Sequence, residues 1–520
     1  MRKILYLIAI MAATITAVSC EDFLEKNPVG EPTSQNFWKS AGDAERAADG
    51  LYFWSAYEGI TGRGVMWYIN ASDDMITGRT KGYADNIKNF IADNNSDAKD
   101  NWPTMYQLIK RCNDIIANVP GMDIDDETKD RVLGQAYFFR GWAYLWLAPH
   151  YGDNGDNGGI PIVTESTPVE DIDQPRPSTV SANYEFCISD FGRAASMLSY
   201  FDELNNDQYG RPHKTACWAY AAKAALYNAQ YKQDYYDTVI VYTNKIIGSG
   251  KHRLLDDFAD VFKMTNNWSK EYIWSWTSNE SDGSKFPGVV LDNKGWGLYN
   301  GWGYFMPTLE LAQEFEEGDS RRAATLFMPG DEIEYLGNKW IYGVDKANES
   351  FSNMMFRKYF DPFVSADAIG KYVNPNGDNM TTDLNIPMVR YSEVLLWKAE
   401  AQIWKGLNGD SALNAVRTRA GLGALANATK SDLKHERRCE LAGEHANRHF
   451  DLVRWGDAQT TYAKPLHGLK RVTDGNGNYL RTDAVQVWPA RSFDPSINHV
   501  WPIPDNEVAN SKNLKQNKGY

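Results

Sequence analysis

The stretch at residues 127–163 constrains this chain more than any other. Leu133, Ala136, Tyr137, Arg140, Tyr144 and Leu147 recur at helical spacing, which predicts a helix with one apolar face. Acidic residues crowd its first turn, where the positive end of the helix dipole favours them. Small residues (Gly134, Ala136, Gly141, Ala143) alternate with large aromatics. Such a helix can be approached closely on one side and fill pockets on the other, as stacked helix pairs require. It reads as scaffold, so function must be sought elsewhere in the chain.

Other segments carry the same signal. Ser40 with Asp43 has the form of a capping box, and Ala44, Ala47, Ala48, Leu51 and Tyr52 follow at helical spacing. Pro103 opens a helix with Tyr106, Ile109, Cys112, Ile116 and Val119 on one face. Helices are predicted over about 180–198, 213–231 and 235–247. The alanine-rich run 216–227, a short break and the helix after it resemble a tetratricopeptide pair. Residues 391–405 with 412–419 form a second candidate pair, although the period is too degenerate to define a strict array.

Between 258 and 387 the character changes. Helical periodicity is poor, and Gly, Asn, Trp and Tyr dominate, as in Gly295-Trp296-Gly297-Leu298-Tyr299-Asn300-Gly301-Trp302-Gly303-Tyr304. A long irregular segment in a compact body is usually functional or disordered, and this many aromatics argue against disorder. Eighteen Trp and 29 Tyr in the whole chain suit a surface that stacks against ring-shaped ligands. Residues 67–83 lack a clean period and read as an exposed loop. The formal charge of −14 argues against a nucleic-acid partner, which needs clustered Lys and Arg.

The chain starts with basic Arg2-Lys3 and an uncharged, mostly apolar run from 4 to 18. That run is short for a membrane span and reads as an export signal over residues 1–19. Ala17-Val18-Ser19-Cys20 resembles a bacterial lipobox, which makes Cys20 a lipid-anchored mature N-terminus, acylated with chains such as palmitate. Cys112, Cys187, Cys217 and Cys439 fall inside predicted helices and are expected as free, buried thiols.

Motifs with catalytic or metal chemistry fail on their context. Gly421-Leu422-Gly423 follows a helix rather than a strand, unlike a dinucleotide fingerprint. His445 and His449 stand four apart, as on one helical face, but Ala446 replaces the glutamate a zinc protease uses as base. The loop Asp153-Asn154-Gly155-Asp156-Asn157 has Thr164 where a calcium loop needs Glu, so a plain turn is expected and weak calcium binding stays open. No metal or cofactor is expected otherwise.

Several segments together resemble the SusD (RagB/SusD) family of outer-membrane glycan-binding lipoproteins. Cys20-Glu21-Asp22-Phe23-Leu24 is similar to that family's mature start. Gly134-Gln135-Ala136-Tyr137-Phe138-Phe139-Arg140, with Tyr151-Gly152 and Ile160-Pro161-Ile162-Val163, is similar to its long helix and exit strand. Ile386-Pro387-Met388-Val389-Arg390-Tyr391, Glu436-Arg437-Arg438-Cys439-Glu440-Leu441 and the closing segment from Pro502 to Tyr520 continue the series. Gly443 departs from the pattern, standing where a large aromatic is usual, and Lys518 stands where proline is common.

The resemblance implies a mostly α fold in which tetratricopeptide-like helix pairs form a platform, with an irregular, loop-rich ligand-binding region and few short strands. In that reading 20–520 is one body, its scaffold at about 40–257 and 388–456 and its binding region at about 258–387. It further implies a non-catalytic protein, lipid-anchored on the outer membrane's external face, that captures an oligosaccharide or polysaccharide and delivers it to a SusC-like TonB-dependent transporter. Asn300-Gly301-Trp302 resembles the stretch that supplies a stacking tryptophan in starch-binding relatives. Trp296, Tyr299 and Tyr304 are candidates to flank it, and Arg79, Tyr83 and Asn86 to form the opposite wall. Two other functions fit the same residues: a helical glycoside hydrolase, and a repeat protein acting only as a protein–protein scaffold.

Overall fold

The computed structural model describes residues 37–78, 82–91, 97–281, 287–292, 301–345, 350–373 and 381–520. Helix α1 (Ala41–Ser55) opens on the expected capping box: the Ser40 hydroxyl accepts from the Asp43 N–H, and the Asp43 carboxylate accepts from the Ser40 N–H at 2.8 Å. Two short helices follow, α2 (Val65–Ile69) and α3 (Gly82–Lys88), then α4 (Asn101–Asn118) and the long α5 (Asp126–Tyr151). Next come α6 (Ser181–Met197), α7 (Lys214–Ala229) and α8 (Tyr235–Gly248). The last set is α9 (Tyr391–Trp404), α10 (Asp410–Arg419), α11 (Lys430–Leu441) and α12 (Arg448–Trp455). Consecutive helices from α4 to α8 pack on one another, and α9 packs on α8, α10 and α11. The result is the tetratricopeptide-like platform, mostly helical with few short strands.

Helix α5 is buried on more than one face. Nearly every residue from Val132 to Tyr151 is shielded, Arg140 included. An unpaired cation there would be costly, and Asp190 holds it through two hydrogen bonds of 2.7 and 2.9 Å, with Asn113 and Glu165 at its other edge. The small residues do what their spacing predicts. A Cβ on Gly134 would lie 2.6 Å from Leu198 Cγ, and one on Gly141 would lie 3.1 Å from the Phe191 ring, so α6 and its end come in close at both points.

Residues 160–163 differ from the strand expected of them: the segment is extended but belongs to no sheet. Side chains take the place of a partner strand. Asn183 bonds both the N–H and the carbonyl of Ile160, the Tyr106 hydroxyl donates to Pro161 O, and Asn113 donates to Val163 O. Buried backbone groups need partners, and helical neighbours can offer only side chains.

Strand β1 (Met75–Thr77) pairs antiparallel with β3 (Phe305–Pro307), and β2 (Tyr272–Trp276) with β4 (Ile386–Arg390). The irregular chain between β2 and β4 therefore leaves and returns through one two-stranded clamp. Arg390 fastens it, bonding Glu271 at 2.7 Å, Glu440 at 3.0 Å and Glu444 at 2.6 Å, all fully shielded. Glu440 and Glu436 come from α11, so the acidic and basic residues of Glu436-Arg437-Arg438-Cys439-Glu440 are a buried ion-pair hub that ties the helices to the loops.

Two further local expectations fail. Residues 67–78 are not an exposed loop: α2 and β1 occupy much of the segment, and Trp67, Asp73, Asp74, Met75 and Ile76 are buried. Polar sequence concealed this because the burial is carried by ion pairs rather than apolar periodicity. His445 and His449 do not share a helical face, since the chain breaks at Gly443 (φ +79°) before α12 begins. Their partners are separate, Thr61 O for His445 and the Tyr462 hydroxyl for His449. Gly443 is required where it stands: a Cβ would meet the Phe356 ring at 2.8 Å in a backbone region that side chains disfavour. Cys112, Cys187, Cys217 and Cys439 are free and buried.

Candidate functional site

Trp302 and Tyr304 sit at the edge of the core, both half-buried, with ring centroids 5.6 Å apart. Backbone bonds fix them. The short helical turn Gly288–Leu291 accepts from Trp302 N–H (2.7 Å, Val289 O) and Tyr304 N–H (2.9 Å, Val290 O), and Gly303 donates to Asp292 O at 2.9 Å. This approach is so close that a Cβ on Gly301 would lie 2.2 Å from the Asp292 carbonyl oxygen, which explains the glycine before the tryptophan. The Asp292 carboxyl is buried below, and that burial pushes it well above the usual carboxylate range.

The early segment comes to the same place. Gly78 N–H donates to Tyr304 O at 2.7 Å, continuing the β1–β3 pairing, and Tyr304 meets the Trp67 ring edge-on at 5.9 Å. Residues 70–78 are held from beneath by two cations that, among the described residues, make no ion pair and bond backbone carbonyls instead. The Lys88 ammonium donates to Ser72 O and Met75 O at 2.7 and 2.6 Å, and Arg491 donates to Ala71 O at 2.6 Å. Asp73 accepts twice from Arg448, at 2.6 and 3.0 Å, and Arg438 bonds Asp74 at 2.8 Å and Glu314 at 2.7 Å. Burial opposes the Asp73 charge, yet Arg438 and Arg448 outweigh it and hold the carboxyl well below its usual range.

Arg63 completes the cluster and carried no recognisable signal, being an arginine in the glycine-rich run Gly62-Arg63-Gly64. Its guanidinium carbon stands 4.1 Å from the Trp302 ring centroid, within cation–π range, and Glu58 anchors its Nε. The indole is thereby held in one orientation. Asn86, on α3, is half-buried, and its carbonyl accepts from Ile91 N–H. Arg79, Trp296, Tyr299, Asn300 and Cys20 lie outside the described residues, as does the side chain of Tyr83.

The arrangement suits recognition better than acid–base work. Four of its carboxylates are engaged, Glu58 by Arg63, Asp73 by Arg448, and Asp74 and Glu314 by Arg438, while the fifth, Asp292, is held neutral by burial. Among the described residues no group of three or more His, Cys, Asp and Glu side chains could hold a metal ion. In the candidate calcium loop, Asp153 is taken up by Gly155 N–H, Asn157 and His499. Among the described residues, no helix is long and apolar enough to cross a membrane.

Residues 229–520 match the model of the SusD family, and residues 23–226 match a family described as starch-binding associating with outer membrane. The chain is 27% identical to SusD-like protein P2 of Formosa agariphila over 556 residues, covering 99% of each. It is 24% identical to the starch-binding protein SusD of Bacteroides thetaiotaomicron over 60% of this chain and 61% of that one. A SusD-like protein from Bacteroides fragilis superposes with a TM-score of 0.76 at 22% identity, covering 95% of this chain and 100% of that one. A laminarin-binding SusD-like protein gives 0.73 at 20% identity, over 93% and 100%. At these identities the structural likenesses speak to the fold.

Proposed function

This chain belongs to the SusD family, and on that premise we propose that it is a non-catalytic glycan-binding lipoprotein that captures an oligosaccharide or polysaccharide at the cell surface and delivers it to a SusC-like TonB-dependent transporter. The observation that carries the binding role is the meeting of two distant segments at Trp302, whose ring is half-exposed and fixed by Arg63 and Tyr304. Sugar rings present flat C–H patches that stack on such rings, while their hydroxyls need nearby polar groups. Segments on a rigid helical platform are where binding residues concentrate. In this reading residues 1–19 are the signal peptide, 40–257 and 388–456 the scaffold, and 258–387 the binding region. Trp296, Tyr299, Tyr304, Asn300, Arg79, Tyr83 and Asn86 are the further residues proposed to contact the glycan. Relatives point the same way, being named for starch or laminarin binding.

Affinity electrophoresis against a glycan panel tests the reading. Trp302→Ala is expected to weaken retention by the cognate glycan at least about tenfold, a loss of roughly 1.4 kcal/mol, with the thermal transition still cooperative. Unchanged retention removes this surface from consideration, and new reducing ends on incubation with the glycan would favour the hydrolase reading. Cys20→Ala is expected to leave the chain out of the membrane fraction, and membrane retention of that variant would refute the anchor.

A further inference from the structure

The segment that carries Arg63 also walls a cavity of about 90 Å³ that opens between α5, α7 and the turn before α12. At ~10–15 Å³ for each water-sized group, that is room for about six to nine such groups, enough for one ring with part of its substituents at the open mouth and not for a chain. Val65, Trp146 and Tyr227 give it apolar and aromatic walls, and its polar lining includes Lys223, His445, Asn447 and His150, whose Nδ1 is spent on Trp146 O at 2.6 Å.

Lys223, His445 and Asn447 are each left wanting a partner of a particular kind among the described residues. His445 is buried, and its Nε2 stands 2.7 Å from the Thr61 carbonyl, so Nε2 carries the proton. Burial keeps the ring neutral, lowering its pKa to about 4. Its Nδ1 is therefore a lone-pair acceptor, and it has no partner among the described residues. Asn447 spends its amide oxygen on His449 N–H at 3.0 Å, which leaves the NH2 to donate. The carboxylates whose charges reach Lys223 are Glu393 and Asp451. Both are held by Arg437, at 3.1 and 2.6 Å, and Arg454 also binds Asp451. The Lys223 ammonium is left 6.0 Å from the centroid of the Tyr220 ring, with no ion pair among the described residues, and burial lowers its pKa. The half-buried cation and the buried lone pair both gain from a ligand that satisfies them.

We propose that this cavity is a second ligand site that takes a single acidic sugar, its carboxylate against Lys223 and the Asn447 amide, a ring hydroxyl donating to His445 Nδ1, and its C–H face on Trp146 and Tyr227. The site is separate from the Trp302 surface and stands or falls independently of it. The test is calorimetric titration of the purified mature chain with glucuronate, glucuronamide and glucose near neutral pH. Saturable binding of glucuronate is expected, weaker by at least about tenfold for the amide and for glucose, each tenfold being ~1.4 kcal/mol. Lys223→Met should erase that preference, and Trp302→Ala should leave it intact. Comparing acid with amide on the unaltered chain needs no variant to fold. Absence of glucuronate binding, equal affinity for the amide, or loss of binding in Trp302→Ala would each overturn the assignment.

Discussion

Asp73→Asn should destabilise the fold by about 3–5 kcal/mol, the range for removing one partner of a buried ion pair. The carboxylate accepts two guanidinium N–H groups from Arg448, at 2.6 and 3.0 Å, and lies 2.9 Å from Arg438 Nη2. Hydrogen bonds to charged groups are worth ~1.5–3 kcal/mol each, so losing both Arg448 bonds would cost roughly 3–6 kcal/mol. Two features hold the estimate down. The amide keeps one acceptor, and Arg438 and Arg448 keep Asp74, at 2.8 and 3.4 Å, with Glu314 also on Arg438. One feature holds it up, because the new NH2 points a donor at a guanidinium. The control is Asp114→Asn in the exposed Lys110–Asp114 pair, where about 0.5 kcal/mol or less is expected. Urea denaturation of both variants beside the parent, compared at matching m-values, gives the two shifts. Because Asp73 precedes β1, which pairs with the strand that follows Tyr304, glycan retention should fall with the first variant and not the second. A midpoint shift for Asp73→Asn no larger than the control's would refute the view that this segment is held by its buried charges.

Two glycines should respond with opposite signs. Gly50→Ala in α1 meets nothing within 4 Å and should stabilise by about 0.5–1 kcal/mol through helix propensity. Gly134→Ala gains the same term but drives a methyl into Leu198, so overpacking of ~1–3 kcal/mol should leave it less stable than the parent by about 1 kcal/mol in the same urea assay. His435 bonds Glu314 at 2.8 Å and Glu316 at 3.1 Å, and the Glu314 bond outweighs desolvation to raise its pKa. Its stabilisation is therefore complete below the unfolded value of about 6.5 and lost as pH rises through the higher folded value. The melting-temperature gap between parent and His435→Gln should be widest near about pH 6 and close at alkaline pH, and a gap that widens with pH would contradict the ion-pair geometry.

Where local pattern and burial coincide, the chain could be read directly. Ser40 and Asp43 cap α1 as their spacing demands, and Gly134 and Gly141 admit the neighbouring helix as their size allows. The run Asn300-Gly301-Trp302 stands out only through its likeness to a stretch of starch-binding relatives, and the structure adds the reason for its glycine, a carbonyl too close for any side chain. Arg63 was invisible because nothing local marks it: its importance is a 4.1 Å approach across 239 residues of chain. Residues 67–78 were misread for a related reason, since a polar segment buries itself only when Arg438, Arg448 and Lys88 arrive from elsewhere.

The sequence by itself determined the helices, the caps, the family and the aromatic-rich region, because each rests on short-range periodicity or on an ordered series of motifs. Only the tertiary structure decided which charges meet and which polar groups are left without partners. It paired β1 with β3 to bring Trp302 beside a segment from the other end of the chain, and it left Lys223 and His445 Nδ1 facing one cavity. Pairings of this kind depend on closing loops hundreds of residues long, and their free energy lies in contacts that no local window contains.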